Sequence, residues 1–140
     1  MSLVLPRANI ANLSQAQSPE EFKKVLRSTM GDLADVEVMF NMVLLGTFIR
    51  PEKTAGGVYR PTDSVTEDVW QGKAGLVLKL GPNAFESDDE TDFKGQRVEP
   101  GEWVVFKVGD AWQLTLKGVP CRLVRDSSIR MKLKDPNVVF

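Results

Sequence analysis

The spacing of apolar residues changes character near residue 35. Before that point, in SPEEFKKVLRSTMG, the residues Phe22, Val25, Leu26 and Met30 recur at intervals of three and four. That spacing places them on one face of an α-helix. The ends are marked as well. Ser18 can cap the helix, Pro19 suits its first turn, Glu21 completes an S-x-x-E capping box, and Gly31 is a natural stop. The stripe of apolar residues predicts a helix packed on its own domain or on a neighbouring subunit, with docking to a separate partner as the alternative.

After Asp35 the pattern becomes that of strands. VEVMFNMVLLGTFI is partly alternating and partly apolar on both sides, so a strand running from Val36 through Leu45 is expected to need cover on both faces. AGLVLKLG (Ala74 to Gly81), EWVVFKVG (Glu102 to Gly109), AWQLTLKG (Ala111 to Gly118), VPCRLVR and SSIRMKL are five further strand-like runs, separated by Gly and Pro turn signals. In AWQLTLKG, the alternation predicts Trp112, Leu114 and Leu116 facing inward. In SSIRMKL it puts Ile129, Met131 and Leu133 on one face and Arg130, Lys132 and Lys134 on the other. Short strands at close spacing argue a small barrel or sandwich. The expected architecture is mainly β, with an N-terminal arm (residues 1–37) that carries the helix and a barrel domain (residues 38–140).

Composition narrows the chemistry. The 140 residues suit one domain, and a hydrophobic fraction of 42% with 26% charged residues fits an ordinary globular chain. A net charge of -1 offers no general footprint for nucleic acid or an anionic membrane. No apolar run reaches the roughly 20 residues of a membrane span, and the start, MSLVLPRANIANLS, lacks the pattern of a secretory signal. There is no histidine, which removes the usual general base and the commonest metal ligand. Cys121 is the single cysteine, with Val119, Pro120 and Leu123 around it; it reads as a buried structural thiol, and a cytoplasmic setting is expected. The acidic run ESDDETD (Glu86 to Asp92) lacks the framework of a calcium loop and reads as a solvated hairpin. No enzyme, metal or cofactor is expected.

The order of these segments resembles the GroES family of co-chaperonins over roughly residues 41–134. NMVLLGTFIRPEKTAGG, a segment ending in the K-[ST]-A-G-G pattern, resembles that family's first core strand and the start of its mobile loop. QGKAGLVLKLGP, VEPGEWVVFKVGDAW and LVRDSSIRMKL resemble the later strands in the same order, with Glu102 where the family has aspartate. The resemblance implies an irregular GroES-like β-barrel that assembles with copies of itself, usually as a seven-membered ring closing a chaperonin cavity. It implies a docking loop in which Gly56 and Gly57 precede the contact residues. Apolar residues in a loose loop make sense there as a weak, reversible bait, multiplied around a ring.

Two departures stand out. Where the family carries Ile-Val-Leu, this chain has Val58, Tyr59 and Arg60, so the third anchor is a cation. The arm before about Glu37 is also an addition to the family pattern, and GVPCRLV resembles virus-borne relatives. Two functions follow as expectations: a co-chaperonin-type cap that assists folding or virion assembly, or a tailed-phage virion structural protein (decoration, cement or connector) that reuses the barrel and contacts capsid or tail proteins. In either case the expected oligomer interface comprises Val38, Phe40, Met42 and Leu44 of the opening strand and Ile129, Met131 and Leu133 of the last.

Overall fold

The computed structural model describes residues 13–50, 69 and 71–139. Among them are one helix of three turns, α1 (Pro19–Met30), and six strands: β1 (Met42–Thr47), β2 (Ala74–Leu80), β3 (Trp103–Phe106), β4 (Trp112–Leu116), β5 (Val119–Arg125) and β6 (Ile129–Leu133). All neighbouring strands are antiparallel, in the order β4-β5-β1-β2-β3-β6. The protein is mainly β, with a GroES-like β fold.

Chain connectivity forces this sheet to curl. β5 and β6 are joined by only three residues, Asp126–Ser128, wound as a 3-10 turn. In a flat sheet the two strands would lie four strand spacings apart, about 19 Å. Three linking residues span at most about 14 Å even when extended. The curl also explains why Val124 of β5 and Ile129 of β6 share one apolar cluster with Val43, Leu45, Val77, Val104 and Phe106.

The other face of the sheet carries the larger cluster. Here Phe22, Leu26 and Met30 of α1 lie on Leu44, Leu76, Trp103, Val119 and Cys121. Phe22, Phe48 and Trp103 form a triangle of rings with centroids 5.1–5.7 Å apart. The helix approaches closely because β1 has a glycine beneath it: a Cβ on Gly46 would come within 2.7 Å of Leu26 Cδ1. The helix termini follow the expected chemistry, except that the Glu21 carboxylate accepts from the Gln17 N–H in place of the Ser18 N–H. Ser18 Oγ accepts from the Glu21 N–H, Pro19 opens the helix, and the Gly31 N–H, at φ 74°, donates to Arg27 O. Thus the opening strand, apolar on both sides, is covered on both sides by its own chain, with α1 on one of them.

Two expectations are corrected. The strand expected from Val36 begins only at Met42. Phe40 takes a left-handed conformation (φ 53°), and the Met42 N–H closes a tight turn onto Met39 O, so the alternation through residues 36–41 is broken. Gly81 permits that turn, since a Cβ there would lie 2.2 Å from Phe40 O. Trp112 does not face inward; it is 74% exposed. Among the described residues β4 is an edge strand paired only with β5, so Leu114 and Leu116 reach the core from their inner end while Trp112 overhangs it. The β4–β5 hairpin turns on Lys117 and Gly118, both at positive φ, the geometry that matches strand twist in a two-residue loop.

Candidate partner-binding surfaces

Lacking histidine, the chain leaves Cys121 as its one obvious nucleophile candidate, and the structure disarms it. Cys121 is buried in the cluster beneath α1, and burial pushes its thiol up to about 12. A thiol held protonated in an apolar wall is a packing group. The acidic run is solvated, as expected, but its residues form a turn rather than a strand hairpin. Asp88 Oδ1 accepts from the N–H groups of Glu90 and Thr91, which holds its carboxyl below the usual carboxylate range. Among the described residues no group of His, Cys, Asp and Glu side chains is placed to hold a metal ion.

What remains are surfaces. The docking-loop residues Gly56, Gly57, Val58, Tyr59 and Arg60 lie outside the described residues, but the chain on either side is well anchored. Phe48 and Ile49 are buried before the loop and Val69 is buried after it. The Phe48 N–H donates to Ala74 O at 3.1 Å, and Val69 O accepts from Gln113 Nε2 (3.1 Å) and from Arg122 Nη2 (2.9 Å).

The expected interface residues divide into two sets. Val38 and Leu44 are buried in the chain's own core, and Met42, Ile129 and Leu133 are half-buried. Phe40 is 67% exposed and Met131 46%, and Met39, beside Phe40, is also exposed. Around them lie two edges that carry no ladder partner among the described residues: the side of β6 away from β3, and residues 36–39, where Val36 and the Met39 carbonyl are already bonded within the chain.

Several residues that matter to these surfaces were not singled out in the sequence. The Lys79 ammonium donates to Leu33 O (2.8 Å) and to Val36 O, tying the link between α1 and β1 to the sheet. A bulge makes this reach available, for the β1–β2 register shifts between Leu44 and Leu45 and leaves Leu78 and Lys79 adjacent on the α1 side. Lys117 adds a second tie, to Met30 O at the helix end and to Asp35 at 2.9 Å. That contact holds the Asp35 carboxyl below its ordinary range. Asp126, buried at the β5–β6 corner, accepts from Asn41 Nδ2, the Phe85 N–H and the Ser127 N–H, locking the corner against the Phe40 turn. Arg122 is the fourth. Its signal was present: it shares a strand face with the apolar Val124, so it is a charge on an interior face.

The family model described as Chaperonin 10 Kd subunit matches residues 35–133. The chain belongs to that family. The match begins six residues before the segment on which the GroES resemblance rested, so it includes the Phe40 turn that precedes β1. Membership carries a co-chaperonin-like role, with self-assembly and a chaperonin as partner. No individual curated protein matches the chain. Among the described residues, no helix is long and apolar enough to cross a membrane.

Proposed function

We propose that this protein is a non-enzymatic, ring-forming cap that docks on a chaperonin through the loop carrying Val58 and Tyr59. The family match carries this reading. Two features of the structure support the assembly half. The open edge of β6 and the unladdered Glu37 and Val38 are complementary in kind, each offering backbone groups to a strand from another copy. Phe40 joins two costs in one residue, a large exposed side chain and a left-handed backbone, which cover by a neighbouring subunit would partly offset. Subunits would then meet through Phe40 and Met42 on one side and Ile129, Met131 and Leu133 on the other, in a ring of seven as the family resemblance implies.

Loop docking is weak per copy and acts through number. Losing a leucine-sized anchor at Arg60 lowers the burial gain by roughly 1.5–3 kcal/mol per loop. Val58 and Tyr59 keep two of three anchors, and several loops on one ring compensate through effective concentration.

A second reading is favoured by Arg60 and by the N-terminal helix: a phage-borne member whose barrel serves the virion, with capsid or tail proteins as partners. The experiment that separates the two is size-exclusion chromatography of the protein with purified chaperonin and ADP, beside a search for it in assembled particles from its source. Co-elution with chaperonin supports the cap. Presence in particles without chaperonin binding supports the structural protein.

A further inference from the structure

We propose that Arg122 is a positioning residue: it fixes the point at which the docking loop rejoins the barrel, and it does so at the expense of fold stability. The side chain is 1% exposed, yet its Nε and Nη1 have no hydrogen-bond partner among the described residues. Its guanidinium carbon lies 5.3 Å from the centroid of the Phe106 ring, and among the described residues its one polar contact is from Nη2 to Val69 O. No carboxylate among the described residues pairs with it. Burial lowers its guanidinium to about 10, so it remains a cation at neutral pH.

Such a group is a poor choice for stability. A buried cation with unmet donors is costly, and an apolar side chain of similar volume commonly serves as well or better. The flanking positions of β5 show what the interior otherwise accepts, since Val124 on the same face is fully buried. What an apolar residue lacks is the hydrogen bond to Val69. Together with Gln113, Arg122 brings two donors to that single carbonyl. Val69 is the described residue that follows the loop, and its side chain is 3% exposed. On the opposite side Phe48 and Ile49 are sealed into the same cluster. A loop with both ends fixed searches less space and loses less entropy on docking. The link to docking rests on the cap reading above, whereas the anchoring of Val69 does not.

The test uses the full chain with Arg122→Met, which keeps the stem and removes the donors, and Arg122→Lys, which restores a charged donor. Three quantities are read: the melting temperature, amide exchange in peptides covering residues 69–75, and affinity for chaperonin with ADP. The expected result for Arg122→Met is a melting temperature unchanged within about 2 °C or raised. Exchange at residues 69–75 should quicken by about tenfold or more, while that of β1 and of residues 76–80 of β2 is unchanged. Chaperonin affinity should fall about tenfold, with partial recovery of both effects in Arg122→Lys. A melting temperature lowered by more than about 10 °C, or failure to fold, makes Arg122 an ordinary structural residue and overturns the proposal. Unchanged exchange at residues 69–75 overturns it too. If exchange quickens but even the wild-type protein ignores chaperonin, the anchor stands and the cap reading falls.

Discussion

Phe22→Ala asks whether the N-terminal helix is part of the core or a detachable arm. Phe22 is 1% exposed, with its ring edge-on to Phe48 at 5.2 Å and tilted against Trp103 at 5.7 Å. Truncating a buried phenylalanine costs about 3–5 kcal/mol, made up of lost transfer energy and the cavity left behind. The upper half of that range applies here, because two aromatic contacts vanish with the ring. Against a typical total of about 5–15 kcal/mol, the loss is a large fraction, and the melting temperature should fall by roughly 10–15 °C. Urea unfolding followed by tryptophan fluorescence measures it directly, since Trp103 is buried beside the deleted ring. Protein concentration must be held fixed, because assembly adds to apparent stability. Lys24→Ala, on the exposed face of the same helix, should be nearly neutral. A loss below about 1 kcal/mol with an unchanged m-value would refute the reasoning, for the helix would then contribute little to the core.

Three further outcomes follow from named contacts. Gly81→Ala would press a Cβ to 2.2 Å from Phe40 O and 2.6 Å from Met39 O, so it should destabilise by more than about 2 kcal/mol in the same urea assay. The Cys121 thiol, raised from 9.0 to about 12, binds its proton more tightly in the folded state. Its contribution is therefore complete below pH 9 and declines above it, by about 1 kcal/mol between pH 9 and 10, a slope that Cys121→Ala should lack. Arg122, lowered to about 10, works in the opposite sense above that pH, which makes pH 9–10 the informative window. Finally, Phe40→Ser combined with Met131→Ser should leave each subunit folded and lower the mass in light scattering, because both side chains are exposed in the isolated chain.

How legible was this protein in its sequence? Local chemistry was readable. The S-P-E-E start and Gly31 stop of α1 and the two-sided apolar run of β1 each depend on neighbours within a few residues. Tertiary position was not. Trp112 alternates with Leu114 and Leu116, and only the strand order reveals that β4 is an edge that leaves the indole outside. The late start of β1 comes from the approach of Gly81 to Phe40, a contact across 41 positions that periodicity cannot encode. The lysine ties from Lys79 and Lys117 are of the same long-range kind. Arg122 stood in plain view as a charge between Cys121 and Leu123, and parity with Val124 was the clue that it points inward. For the loop the sequence remains the guide, and the residues it names, Val58, Tyr59 and Arg60, make a direct test.

The measurement closest to the central claim is the affinity of the assembled protein for immobilised chaperonin in the presence of ADP, compared across three loop sequences. If the loop is the bait, the wild-type protein binds, and Val58→Ser with Tyr59→Ser loses binding by at least about tenfold while melting at the wild-type temperature. Arg60→Leu, which restores the third apolar anchor, should bind more tightly than wild type by about tenfold or more. A double-serine protein that binds as well as wild type, or an Arg60→Leu protein that gains nothing, would contradict the account.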